Sequence, residues 1–257
     1  MAVGGKGLWR IDDVSKDIFY LNLEPDTWTQ FPGRLVNCSV GGTQIWGVNT
    51  SDDILCLSDG RPMFEQVGGK LVQVSVSKKD HVWGVNRNDE IYHRANGSWH
   101  KQGGALTNIS VGPAGVWGCN RNHDIYYRKG TYGDVDSNGS GWEHVGGKLI
   151  WIASGKGVVI GVNSHHDIYY RQGITSDNPT GTSWKKTDGK LKQIDIHDDK
   201  VWGVNSELEM YCATFQGGES SSVESVADEV ENLYIEPAGK FSMSMSVKSV
   251  FIIQCML

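Results

Sequence analysis

The sequence predicts an all-β protein: a six-bladed β-propeller of four-stranded blades, its first blade lacking one strand, followed by a non-repeat C-terminal tail. Three observations carry that expectation. A tetrapeptide recurs as Trp46-Gly-Val-Asn49, Trp83-Gly-Val-Asn86, Trp117-Gly-Cys-Asn120, Ile160-Gly-Val-Asn163 and Trp202-Gly-Val-Asn205, with a degenerate first copy at Trp9. Successive copies start 34 to 43 residues apart, the period of one propeller blade. Every copy sits among the same companion segments, so the repeating unit is a four-segment module and not a lone motif. The composition agrees, since 33 glycines, 6 prolines and 10 tryptophans suit short aromatic strands joined by tight turns.

The four segments follow a fixed order. The first alternates with period two, as in Val72-Gln-Val-Ser-Val76 and Thr107-Asn-Ile-Ser-Val111. The second is the Trp-Gly-Val strand, where Trp83 and Val85 point to one face while Gly84 lets a neighbouring backbone approach the other. The third begins with an acid: Asp17-Ile-Phe19, Asp53-Ile-Leu55, Glu90-Ile-Tyr92, Asp124-Ile-Tyr126, Asp167-Ile-Tyr169 and Glu209-Met-Tyr211. The fourth starts near Trp28, Phe64, Trp99, Trp142 or Trp184. It ends in Pro32-Gly-Arg-Leu35, Gly68-Gly-Lys-Leu71, Gly103-Gly-Ala-Leu106, Gly146-Gly-Lys-Leu149 or Asp188-Gly-Lys-Leu191. A four-stranded sheet has two faces, and only neighbouring sheets on both sides bury them. Trp46, Trp83, Trp117 and Trp202 are therefore the expected structural core. Polar insertions at 130–141 and 173–181 lengthen two units as surface loops.

The two ends depart from the repeat. Val3-Gly-Gly-Lys-Gly-Leu-Trp9 aligns with Val111-Gly-Pro-Ala-Gly-Val-Trp117, so the chain opens inside a unit, as a truncated protein would. The propeller is expected over 1–218 and the tail over 219–257. Within the tail, 225–234 reads as a short acidic helix and 243–257 as an apolar strand. Two readings of the tail stand side by side: poorly ordered, or closing the ring in place of the missing strand.

Several function classes find no support. No apolar run is long enough to cross a bilayer as a helix. Of the net charge of −6, the residues after Ala213 carry −4, which leaves a near-neutral body and no basic groove for nucleic acid. Cys38, Cys56, Cys119, Cys212 and Cys255 form neither a CxxC metal motif nor an evident disulfide framework. His123-Asp124 and His165-His166-Asp167 occupy one repeated hairpin position, and His197-Asp198-Asp199 is unaccompanied by any catalytic motif. The expectation is a binding protein with no enzymatic activity, no metal and no cofactor.

Together, Val-Trp-Gly-Val-Asn, Asp-Ile-Tyr-x-Arg and Trp-x-x-x-Gly-Gly-Lys-Leu resemble tectonin repeats over roughly residues 3 to 212. The resemblance implies a lectin that binds surface glycans multivalently, on microbes or eggs, in innate defence. Its implied ligands are N-acetylglucosamine-like sugars, bacterial polysaccharide or lipopolysaccharide, and calcium enters only through the resemblance. It also implies a secreted protein, with which the triplets at Asn37, Asn49, Asn96, Asn108 and Asn138 agree as glycosylation-type sequences. An intracellular tectonin-type scaffold that grips a protein and binds no sugar is the alternative.

The candidate sugar-binding residues are the repeated polar ones. Asn86, Asn120, Asn163 and Asn205 either shape the hairpin turn or present amides to hydroxyls, and the two roles can coexist. Arg87 and Arg121 stand beside them. Arg94, Arg128 and Arg171 follow the Ile-Tyr pairs at one equivalent position, either as binding donors or packed at blade edges. Tyr92, Tyr126, Tyr169 and Tyr211 supply flat aromatic surface of the kind a sugar ring needs.

Overall fold

The computed structural model describes residues 7–23, 26–78, 81–134, 136–197, 200–215, 236–237 and 250–256. All regular structure among them is β, in six four-stranded antiparallel sheets. The N-terminal segment contributes three strands, β1 (Gly7–Asp12), β2 (Asp17–Leu23) and β3 (Asp26–Arg34). The second blade holds β4 (Asn37–Gly41), β5 (Gln44–Val48), β6 (Asp53–Ser58) and β7 (Glu65–Lys70). The third holds β8 (Gln73–Lys78), β9 (His81–Val85), β10 (Glu90–Ala95) and β11 (Ser98–Ala105). The fourth comprises β12 (Asn108–Gly112), β13 (Gly115–Cys119), β14 (Asp124–Arg128) and β15 (Trp142–Lys148). The fifth comprises β16 (Trp151–Ser154), β17 (Val159–Val162), β18 (Asp167–Arg171) and β19 (Trp184–Lys190). The sixth has β20 (Gln193–His197), β21 (Lys200–Val204), β22 (Met210–Thr214) and β23 (Glu236–Pro237).

The first blade receives three strands from the N-terminal segment, as the repeat predicts. Its fourth place is taken by β24 (Val250–Met256), which pairs antiparallel with β1 from Gly7↔Met256 to Asp12↔Val250 and lies between β20 and β4. The position of β23 has a sequence signal that the boundary at 219 leaves in the tail. Glu236-Pro-Ala-Gly-Lys-Phe241 parallels Glu65-Gln-Val-Gly-Gly-Lys-Leu71 with one residue fewer. The expected helix at 225–234 and the boundary between 218 and 219 lie outside the described residues.

The core lies between blades. Trp46, Trp83 and Trp117 are fully buried, while Trp202 is only partly covered at the edge of the cluster of Leu8, Leu21 and Val204. The glycine after each tryptophan is forced by packing. A Cβ on Gly84 would stand 2.6 Å from Leu71 Cδ1 and 2.8 Å from the Gln73 carbonyl. So the leucine of Gly-Gly-Lys-Leu and the glycine of Trp-Gly-Val are two halves of one contact.

Around the axis, polar side chains of the inner strands β4, β8 and β12 satisfy the backbone of the next. Asn37 and Ser39 accept from the amides of Val74 and Val76, both at 3.0 Å; Gln73 and Ser75 accept from Ile109 and Val111; Asn108 and Ser110 accept from Ile152 and Ser154. This explains the Asn/Gln-x-Ser pattern inside an otherwise apolar strand, because each buried amide needs an acceptor. The belt changes at Trp151 and Ala153, which have no such acceptor. It encloses a polar central cavity of about 30 Å³, room for about two waters.

Candidate functional site

The turn after the second strand is built by the repeated asparagine. The Asn120 carbonyl oxygen accepts from the amides of Asn122 and Asp124, both at 2.9 Å, and its amide donates to Asp124 Oδ2 at 3.2 Å. Asn49, Asn86, Asn163 and Asn205 repeat this arrangement. The residue before the acid takes positive φ at Asp52, Asp89, His123, His166 and Leu208, the backbone a compact turn imposes. Asn49, Asn86, Asn120 and Asn163 therefore spend the oxygen and one N–H on the turn, whereas Asn205 also donates to the Tyr211 hydroxyl at 3.2 Å.

The carboxylate that closes the turn is held by a cation from its own blade. Asp53 meets Lys70 at 2.5 Å, Asp124 meets Lys148 at 2.5 Å, and Asp167 meets Lys190 at 2.6 Å. In the third blade Ala105 replaces that lysine, and Lys101 reaches Glu90 instead. The lysine hydrogen bond holds Asp53, Glu90 and Asp124 below the usual carboxylate range, and Lys186, at 2.8 Å, together with Lys190 does the same for Asp167.

The predicted arginines divide into two structural classes. Arg87 and Arg121 bridge blades along the rim, each as a two-pronged pair with the preceding blade's acid: Arg87 with Asp52, and Arg121 with Asp89 at 2.9 Å. Arg94, Arg128 and Arg171 pack inward on indole faces. Arg94 lies over Trp46 at 5.1 Å, Arg128 over Trp83 and Trp142, and Arg171 over Trp184 at 5.3 Å. Arg128 is buried and also donates to the Asn138 carbonyl and to Gln102 Oε1, each at 2.9 Å. Burial pushes the Arg128 and Arg171 guanidinium groups down from their ordinary value. Their stacked positions come from tertiary packing.

The tyrosines and asparagines do meet in clefts between neighbouring blades. One cleft, about 230 Å³, is walled by Ile91, Gly104, Ala105 and Leu106 of the third blade and by Asn120, Tyr126 and Trp142 of the fourth. A second, about 300 Å³, is lined by the equivalent residues Ile168, Gly189, Lys190 and Leu191 of the fifth blade, with Asn205, Ser206, Glu207 and Tyr211 of the sixth. The outer tryptophans complete the walls by donating indole N–H groups to the preceding blade's glycines: Trp99 to Gly68, Trp142 to Gly103 and Trp184 to Gly146, at 2.7 to 2.9 Å. The next glycine has positive φ and packs under that indole; a Cβ on Gly104 would lie 3.0 Å from Trp142. The glycine pair and the outer tryptophan, absent from the predicted binding set, are thus the structural partners of the asparagine turn. Their covariation along the repeat was the available signal.

Among the described residues, no group of three or more His, Cys, Asp or Glu side chains could hold a metal ion, and no helix is long and apolar enough to cross a membrane. Cys38 and Cys119 are buried free thiols, Cys56 is buried and Cys212 is partly buried. Burial raises the Cys38 and Cys119 thiols far above their ordinary value. Of the glycosylation-type asparagines, Asn37 and Asn108 are buried in the central belt, Asn49 is half-buried in its turn, and Asn96 and Asn138 are exposed.

Comparison with known proteins agrees with this architecture. Fish-egg lectin of Cyprinus carpio is 33% identical over 93 residues, covering 30% of this chain and 39% of that protein. Tectonin-2 of Physarum polycephalum is 46% identical over 54 residues, covering 21% and 15% respectively. The matched segments thus span well under half of these relatives. Among solved structures, a chain of the nidogen/laminin complex superimposes with a TM-score of 0.64 at 12% identity, over 82% of this chain and 89% of that one. Prp20p of Saccharomyces cerevisiae gives 0.57 at 12% identity, over 83% and 71%; at such identities the likeness is one of fold alone. The tectonin domain model matches residues 1–190, and the chain belongs to the tectonin domain family.

Proposed function

We propose that the chain is a lectin whose inter-blade clefts each receive one sugar ring of a repetitive surface glycan. The observation that carries this reading is the recurrence, at equivalent positions, of a tyrosine ring beside a fixed peptide edge and the amide of the turn asparagine. A sugar needs just that pairing of flat apolar surface with a few immobile polar groups. The clefts sit near the lower end of ligand-pocket volumes, so single sites bind weakly. Repetition around the ring then raises avidity by about 10²–10⁴ on a dense glycan surface. Recognition without chemical change is the mechanism, and the similarity to fish-egg lectin supports the ligand class. N-acetylglucosamine-like sugars, bacterial polysaccharide or lipopolysaccharide are the proposed ligands, met outside the cell in innate defence.

A glycan array that includes N-acetylglucosamine and bacterial polysaccharides, with free sugar as competitor, tests this reading. Competable binding that weakens in Tyr126→Ala supports it; silence from the folded protein overturns it. One observation favours the second reading, an intracellular scaffold without sugar binding: two buried cysteines, Cys38 and Cys119, remain free thiols. Five titratable thiols in the unfolded, unreduced protein together with a silent array would select the scaffold.

A further inference from the structure

The cleft between the third and fourth blades differs from the other repeats in what stands behind it. In β10 the residue opposite the second-strand tryptophan is His93; the equivalent places hold Tyr20, Cys56, Tyr127, Tyr170 and Cys212. His93 is 2% exposed and stacks on Trp83, centroids 4.4 Å apart and planes within 13°. Its Nδ1 is 3.2 Å from Asn138 Oδ1 in the 130–141 loop, so Nδ1 carries the proton and donates; its buried Nε2 has no hydrogen-bond partner. Beside it, His81 lies with its ring 5.9 Å from that of His93 and its Nε2 3.4 Å from Asp136 Oδ1 of the same loop. Arg128 closes the group, donating to the Asn138 carbonyl while covering both Trp83 and Trp142.

We propose that His93 is an acid-sensitive latch that holds the 130–141 loop and, through Arg128 and Trp142, keeps the adjoining cleft in its ligand-binding form. The inference rests on the lectin reading for its consequence, though the latch itself does not. The path is short: Asn138 bonds His93 and Arg128, Arg128 covers Trp142, and Trp142 walls the cleft.

The sign follows from which form accepts a proton. Burial pushes His93 down to about 4 against an ordinary 6.5; the Asn138 hydrogen bond opposes the shift, and His81, His100 and Arg128 add to it. Asp136 is the carboxylate facing the pair, and it lies against His81 rather than His93. With the loop released, His93 meets water and regains its ordinary affinity for protons. The closed form is therefore fully favoured above pH 6.5 and loses ground as pH falls towards 4, by ~30-fold at pH 5.

Hydrogen exchange of the wild-type chain, corrected for intrinsic rates, is measured at pH 7.5 and pH 5. The amides of Gly133 and Ser140, bonded to Pro113 and Lys129, report the loop. Their protection is expected to fall by more than ~10-fold at pH 5, and to stay level in His93→Tyr, which installs the side chain other blades use. Pulldown on the glycan identified by the array is expected to weaken in parallel, and to become flat with pH in the same variant. Wild-type protection that does not change with pH overturns the latch, whether or not the variant folds. Loop opening without loss of binding overturns the link to the cleft. Failure to bind any glycan at pH 7.5 removes the lectin reading and leaves the exchange result to decide the latch alone.

Discussion

Trp83→Ala removes a fully buried indole of the third blade. The indole is 0% exposed, stacks on His93 at 4.4 Å, meets Trp142 edge-on at 6.2 Å and lies under Arg128 at 5.8 Å. Truncating a buried tryptophan costs about 3–5 kcal/mol through lost burial and the cavity left behind. Neighbouring blades limit collapse of that cavity, since the Trp83 side chain is gripped from two sheets at once. A loss of about 4 kcal/mol corresponds to a fall in Tm of ~8–16 °C for a chain of this size. Urea unfolding followed by fluorescence checks it, with the change appearing in the midpoint and not in the slope. Trp202→Ala serves as the comparison: its side chain is partly exposed, and the expected cost is about half as large. A midpoint for Trp83→Ala within error of wild type, or a larger loss for Trp202→Ala, would refute the argument that inter-blade burial of this residue holds the ring together.

Asn108→Ala leaves the buried Ile152 amide without its acceptor, and a loss of about 1–3 kcal/mol is expected in the same urea assay. Pairing it with a variant of a distant turn, Asn49→Ala, should give additive losses, whereas Asn108→Ala with Ser110→Ala should not, because both serve the same inter-blade seam. Ring closure by the C-terminus is expected to matter for both stability and solubility. Removal of residues 250–257 frees the edge of β1, so a lower Tm and self-association on size-exclusion chromatography should follow; a truncated chain that stays monomeric with an unchanged Tm would refute closure.

Much of the fold was legible in one sequence because a propeller repeats its solution. The Trp-Gly-Val strand, the asparagine turn and the Gly-Gly-Lys-Leu corner are local, and each copy corroborates the others, so a degenerate version such as the one at Trp9 is still recognisable. The fourth strand of the last blade was harder to see. Its echo, Glu236-Pro-Ala-Gly-Lys-Phe241, is one residue short and stands more than twenty residues beyond β22.

The candidate site was legible in residue type and not in arrangement. Spacing located the asparagines and tyrosines, yet the cleft joins residues of two blades, such as Gly104 with Tyr126 and Trp142. Arg87 and Arg94 illustrate the same limit: seven residues apart, one bridges rims through Asp52 and the other lies over Trp46. His93 is opposite Trp83 by strand register, but its burial comes from the Asn138 loop of the next blade. The sequence by itself determined the strands, turns and blade number, because those depend on hydrogen bonds and side-chain alternation within a few residues. The tertiary structure alone decided the clefts, the stacked arginines and the histidine latch, because each is made where two sheets meet, and a repeat seen in one dimension does not say which of its faces will touch.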